Sequence, residues 1–241
     1  MKPSTTSRIP QTVRVKTAAE RRLLLLKAVL FIACLLPLVQ ILWQGVDGRI
    51  GPNPVQAITH ATGDWALRLL LVTLAVTPLR RLTGWAWLIR FRRMLGLYAF
   101  FYAVLHFATY LWLDQFFDWT AIVADIAKRP YITVGFTALV LMLPLAVTST
   151  RGWLRRLGPR WKQLHRLIYP IGILAVLHFL WLVKADLLEP GIYAAVLALL
   201  LIVRVPFGRL QQRLEQRPGQ RAGERPGRGA GQTEIRVTVA K

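Results

Sequence analysis

From Leu23 to Trp43 the chain is apolar apart from Lys27, Gln40 and the mild interruption of Pro37, close to the ~20 residues that a helix needs to cross the hydrocarbon core of a bilayer. Such a run dictates the solvent. In lipid every backbone N–H and C=O must find its partner inside the protein, and for a single stretch the α-helix is the arrangement that does so. Five more stretches of this character follow, giving six expected spans at roughly 23–43, 58–79, 94–113, 131–148, 165–184 and 190–206. The second contains Asp64 and Arg68, so its outer turn must be solvated or paired. The sixth is short before Arg204. A five-span count is one alternative. A cleaved signal peptide in place of the first span is another, because Arg21 and Arg22 precede the run, but no small-x-small cleavage site follows Leu38. The expected fold class is an all-α integral membrane protein built as a six-helix bundle.

The charge then becomes a map. The chain carries 32 Lys+Arg against 11 Asp+Glu, net +21, beside 54 % hydrophobic residues. In a soluble domain that excess would point to nucleic acid, but apolar runs of bilayer length exclude this class. With the N-terminus on the cytoplasmic side, all Lys and Arg except Arg49, Arg68, Lys128, Arg129 and Lys184 fall on that side. The opposite side collects Asp47, Asp64, Asp114, Asp118, Asp125, Asp186 and Glu189. This is the asymmetry of the positive-inside rule, and both termini are expected to be cytoplasmic. Trp43, Trp65, Trp85, Trp112, Trp119, Tyr131, Trp161 and Trp181 fall near the expected span ends, where amphipathic rings settle at the interface.

Three regions result: a basic N-terminus at 1–22, the membrane bundle at 23–206 and a tail at 207–241. The tail is polar, with Arg-Pro-Gly at 217–219 and 225–227, and reads as a flexible basic linker attracted to anionic headgroups. No repeat of 20 to 50 residues and no second folded domain is evident. The single cysteine, Cys34, lies inside the first apolar run, where it packs as a small hydrophobe without a disulfide partner.

Ionisable or coordinating side chains at membrane depth are expensive, which makes them functional candidates by default. His106 lies in span three and His178 in span five. At ~1.5 Å per residue they sit about 12 Å and about 9 Å below the outer ends of their helices, the same level within boundary error. Two imidazoles at one level on two helices can supply both axial ligands of a haem in an apolar bundle. The plain alternative is that each histidine only hydrogen-bonds a neighbouring helix. His165 opens span five at the inner boundary, roughly 20 Å from His178 along the axis, and on an ideal helix points about 140° away from it unless Pro170 alters the phase. Arg92, the residue that shares the face of His106 at the inner end of span three, cannot be an ordinary iron ligand but can hold a propionate or a phosphate. An inner haem held by two histidines is therefore not supported, whereas an inner site with one histidine, or a flavin phosphate held by basic loops, remains open. His60, Asp64 and Arg68 share one helical face by four-residue steps. They form either a polar interfacial stripe or a face on which Arg68 pairs with an outer haem propionate or a partner is received.

Other chemistry is poorly represented. The sequence has no glycine-rich phosphate loop after a strand, no cysteine pair for a metal or iron–sulfur site, and no intramembrane carboxylate chain of the kind proton-driven transporters use.

Arg92-Arg93-Met94-Leu95-Gly96-Leu97 leading to Leu105-His106, Trp161-x-x-Leu164-His165-Arg166-Leu167-x-Tyr169, and then His178, together resemble the ferric-reductase-like transmembrane superfamily. Thr59-His60-x-Thr62-Gly63, Thr77-Pro78-Leu79 and Arg129-Pro130-Tyr131 bring the resemblance nearest to the haem-binding membrane subunits of bacterial periplasmic methionine-sulfoxide repair systems. It covers roughly residues 20–205, and order and spacing rather than any single motif carry it. The resemblance implies a b-type haem electron carrier in the bacterial inner membrane. Its donor would be a cytoplasmic flavin reductase or the quinone pool, and its acceptor a periplasmic molybdopterin-containing methionine-sulfoxide reductase subunit. It implies that His106 and His178 hold an outer haem between spans three and five, and that His165 matches one inner ligand. Arg92 or Arg93 stands where a fourth histidine would be, so one haem is expected and a second is left open. FMN is associated with such proteins, without a site that maps here. No catalytic residue for methionine sulfoxide is expected in this chain. The alternatives are a free-standing transmembrane ferric or quinone reductase, and a non-redox transporter or assembly factor with structural histidines.

Overall fold

A computed structural model describes residues 17–183 and 187–204. Most of the expected N-terminal region, Lys184 and Asp186 of the outer-face charge count, and the expected tail at 207–241 lie outside the described residues. Among the described residues all regular structure is helical: α1 (Ala18–Val46), α2 (Pro54–Thr83), α3 (Arg92–Thr109), α4 (Trp119–Lys128), α5 (Pro130–Val147), α6 (Arg151–Leu157), α7 (Pro159–Leu164), α8 (Ile168–Leu182) and α9 (Leu188–Ile202).

Local chemistry sets the ends. α1 starts well before the apolar run because Thr17 and Glu20 form a reciprocal cap: the Glu20 N–H donates to the Thr17 hydroxyl (3.3 Å) and the Thr17 N–H to the Glu20 carboxylate (3.0 Å). α2 opens with an Asn53 cap and Pro54 in its first turn, and closes at Gly84, whose φ of 72° is the left-handed turn glycine favours. α3 loosens into a π-turn over Tyr110–Asp114. The chain then reverses through Phe116 (φ 47°) and Phe117 (φ 60°), a left-handed pair that is costly for residues with a bulky Cβ substituent. α4, with 10 residues, follows from an Asp118 cap at the same end of the bundle.

One expected span is not a single α-helix. The stretch at 165–184 is entered through α7 and a tight 3-10 turn at His165–Leu167 before α8 begins. Pro170 explains the break: without an N–H it cannot bond the Arg166 carbonyl four residues back, and its ring crowds that turn, so the regular α-helix starts only at Ile168. The ideal-helix angle between His165 and His178 therefore does not apply.

Among the described residues, five segments are long and apolar enough to cross a membrane: Ala18–Val46, Pro54–Thr83, Arg92–Asp114, Pro130–Val147 and Pro159–Leu182. The chain is a multi-pass helical membrane protein. α9 is apolar but has only 15 residues, about 22 Å at helical rise against a ~30 Å core.

Two helix pairs form the heart of the bundle, α2 against α3 and α5 against α8. Leu74 of α2, Tyr102 of α3 and Ile171 of α8 are fully buried. α1 lies outside, with Leu25, Val29 and Ile32 exposed as a lipid-facing surface requires. Two tyrosines of α3 tie it on: Tyr98 donates to the Phe31 carbonyl (3.3 Å) and Tyr102 to the Cys34 carbonyl (2.8 Å). The Tyr102 hydroxyl also neighbours the Leu38 N–H, so it enters the α1 ladder beside Pro37. Tyr102→Phe would leave these buried groups short of a partner. It should cost about 1–3 kcal/mol, seen as a lower unfolding midpoint of the solubilised protein; an unchanged midpoint would mean that packing alone holds α1.

Candidate functional site

The site grows from the two helix pairs. α3 brings His106 and α8 brings His178 to a common cavity, their ring centroids 6.1 Å apart and their planes inclined at 74°. In each case the helix paired with the histidine's own helix fixes the ring. His106 Nδ1 lies 2.8 Å from the Thr59 carbonyl on α2, and His178 Nδ1 lies 2.6 Å from the Tyr131 carbonyl on α5. A carbonyl only accepts, so each Nδ1 carries the proton and donates it. In a neutral imidazole this leaves the Nε2 lone pair as the ligand, held by a hydrogen bond at the opposite nitrogen, the usual arrangement for metal-ligating histidine.

Each ring also rests on a glycine. A Cβ at Gly63 of α2 would come within 3.1 Å of the His106 ring, and one at Gly135 of α5 within 2.7 Å of His178 Nδ1. At Gly135 a Cβ would collide with the imidazole and at Gly63 it would press against it, the close approach that small residues permit at membrane helix interfaces.

The pairs are related in sequence. Thr59 and Tyr131, Gly63 and Gly135, and His106 and His178 are each offset by the same distance along the chain, and each histidine sits in an identical pentapeptide, Ala-Val-Leu-His-Phe, at 103–107 and 175–179. α2–α3 and α5–α8 are thus two copies of one device, each supplying a carbonyl, a glycine and a histidine. The unit is longer than the 20 to 50 residues of a short repeat, and the identical pentapeptides are its mark in the sequence.

The cavity between the copies measures about 740 Å³ and is lined mainly by apolar side chains, including Leu67, Leu70, Phe136 and Met142. His60, Asp64, Asp114 and Arg129 stand among its polar lining residues. For two histidines on one metal, bonds of about 2 Å each, with a ring centre about 1 Å beyond each nitrogen, require centroids roughly 6 Å apart. The observed spacing matches. The volume, the apolar walls and two imidazoles with free Nε2 atoms fit a flat metal-containing macrocycle that His106 and His178 would hold.

The remaining sequence candidates divide. Arg68 does not line the cavity. Its Nε donates to the Tyr193 hydroxyl (2.8 Å), its guanidinium lies near Asp64 (3.7 Å) and Glu189 (3.8 Å), and it sits over the Trp65 ring, joining α2 to α9. The cation in the cavity lining is instead Arg129, paired with Asp125 (3.2 Å) and close to the Tyr131 hydroxyl (3.4 Å). Sequence reasoning passes over it because it reads as a loop charge. His60 is exposed and lines the cavity. His165 forms a separate station at the other end of the bundle. Its ring stacks on Trp161 at 3.8 Å, its Nδ1 bonds the Trp161 carbonyl (3.1 Å), and its buried Nε2 makes no hydrogen bond of normal geometry among the described residues, though the Leu145 backbone is nearby. Arg92 is near enough for its charge to act on His165. No cluster of three His, Cys, Asp or Glu suited to a bare metal ion occurs among the described residues.

Comparison with known proteins places this geometry in context. Residues 62–176 match a family model described as "Ferric reductase like transmembrane component". The chain is 61 % identical over 186 residues to a protein of Xanthomonas campestris pv. campestris (strain 8004), covering 74 % of this chain and 85 % of that one. It is 64 % identical over 163 residues to one from Xanthomonas euvesicatoria pv. vesicatoria (strain 85-10), covering 68 % and 75 %. It is 54 % identical over 187 residues to one from Herminiimonas arsenicoxydans, covering 76 % and 86 %. All three relatives are named protein-methionine-sulfoxide reductase heme-binding subunit MsrQ. No solved structure matches.

Proposed function

This chain belongs to the MsrQ family of ferric-reductase-like membrane proteins, and from that premise we propose that it is the haem-binding electron-transfer subunit of a methionine-sulfoxide reductase system. The observation that carries the reading is the imidazole pair, 6.1 Å apart in an apolar cavity with both Nδ1 atoms tied to backbone carbonyls. A b-type haem held by His106 and His178 would supply one-electron iron chemistry. The protein contributes ligation through two Nε2 atoms, ring orientation through Thr59 and Tyr131, and apolar walls that limit water. Arg129 is suitably placed in the lining to meet an acidic group of the cofactor, while Arg68 belongs to the polar cluster joining α2 and α9.

In this reading α9 completes six crossings, both termini lie in the cytoplasm, and the membrane is the bacterial inner membrane. Electrons enter from a flavin reductase or the quinone pool at the basic inner side, where His165, with Arg92 nearby, would serve a second cofactor: a haem with one histidine ligand or FMN. They leave on the outer side to a periplasmic molybdopterin-containing reductase subunit that repairs oxidised methionine. Protein purified after expression with ample haem should show a reducible b-type spectrum, and the reduced protein should be reoxidised rapidly on adding that reductase subunit with a methionine-sulfoxide substrate. A colourless protein would overturn the haem assignment. A coloured protein reoxidised by ferric complexes but not by the reductase subunit would make it a free-standing reductase.

A further inference from the structure

A second cavity, about 520 Å³, opens between α1 and α3, away from the histidine pair. Its charged lining is entirely basic, from Lys27 on α1, Arg90 in the turn before α3, and Arg93 in the first turn of α3. Its apolar wall is formed by residues such as Phe31, Leu97 and Phe101. Among the described residues no carboxylate pairs with any of the three cations, whereas Arg68 and Arg129 each have acidic partners. Lys27 is half-buried inside the first apolar run, where an uncompensated ammonium is costly. The N-terminus of α3 carries no side-chain cap either, so its positive dipole end adds to the same field.

We propose that this groove binds one anionic phospholipid, its phosphate among Lys27, Arg90 and Arg93 and an acyl chain along Phe31, Leu97 and Phe101. The chemistry favours this occupant over a water-soluble anion. Three cations at one end demand negative charge, and the adjoining wall rewards a long apolar chain on the same molecule. The peripheral seating of α1, tied to α3 by the Tyr98 and Tyr102 hydrogen bonds, gives the lipid a structural role, because it fills the side of the α1–α3 seam that protein leaves open.

The test uses full-length protein in mild detergent, with bound lipid read by native mass spectrometry. Phosphatidylglycerol should be retained in preference to phosphatidylcholine of identical chains, by roughly fivefold per contributing cation at about 1 kcal/mol each. Lys27→Gln with Arg90→Gln and Arg93→Gln should remove that preference, while Arg155→Gln with Arg156→Gln should leave it. A millimolar excess of inorganic phosphate or FMN should not displace the lipid. Should the triple variant fold poorly, photoreactive phosphatidylglycerol on the wild-type protein should label segments 27–35 and 94–101. Equal retention of the two lipids, preference persisting in a folded triple variant, displacement by phosphate or FMN, or labelling spread over the other helices would each overturn the proposal.

Discussion

Alanine at either His106 or His178 is expected to remove the outer haem from the purified protein, with the reduced absorbance bands falling at least tenfold per unit of protein. The two variants should be equivalent, because the structure gives the two histidines equivalent surroundings: each ring donates from Nδ1 to a carbonyl of the helix paired with its own and rests on a glycine of that helix. Loss of one hydrogen-bond partner behind a metal ligand typically costs 10–100-fold in affinity. Removing the ligand itself should cost at least as much. The cavity left by the missing ring is bordered by the same glycine and carbonyl, so added imidazole should restore part of the spectrum in both variants. His60→Ala should retain it, since His60 is exposed and not part of the ring pair. A normal reduced spectrum in both His106→Ala and His178→Ala would refute the proposed ligation, and a defect in one alone would refute the symmetry.

His165→Ala separates the two ends of the bundle. His165 stacks on Trp161, with Arg92 near enough for its charge to act on it, at the opposite end of the bundle from the histidine pair. Its removal should leave the outer spectrum in place while slowing reduction by a cytoplasmic donor.

Much of this architecture is legible in the sequence, for a physical reason. The bilayer imposes a minimum length and a minimum apolarity on every crossing, so span positions follow from hydropathy, and the cost of ionisable groups at depth draws the eye to His106 and His178. Features set by tertiary contact are less legible. α4 escapes notice because ten residues with polar neighbours resemble a loop. The break at His165–Leu167 needs the local conflict at Pro170 to be worked out. Arg68 does share a face with Asp64, as its spacing implies, but that relation occupies its charge together with Tyr193 and Glu189, which arrive from α9. Gly63 and Gly135 give no signal as single residues. They acquire meaning only when the chain is folded into two copies of one helix pair.

The sharpest test of that duplicated device is Gly135→Ala, which should lower haem content and affinity by roughly 10–100-fold, the range seen when a ligand's supporting contact is lost. A Cβ at this position would lie 2.7 Å from His178 Nδ1 and 2.9 Å from Cε1, closer than carbon tolerates, and the ring cannot move away without lengthening its 2.6 Å bond to the Tyr131 carbonyl. Gly63→Ala should do less, since its Cβ would meet the His106 ring at 3.1 Å, where a shift of a few tenths of an ångström suffices. The substitution separates site geometry from helix stability. In a soluble helix alanine is favoured over glycine by about 1 kcal/mol, so α5 itself should not be weakened, and helical content should persist while haem is lost. Partial haem occupancy with a shifted reduced band in Gly135→Ala, and a milder change in Gly63→Ala, would locate the defect in ring position. If Gly135→Ala instead binds haem as tightly as the unaltered protein, the glycine is a matter of helix packing alone and His178 is positioned by the Tyr131 carbonyl.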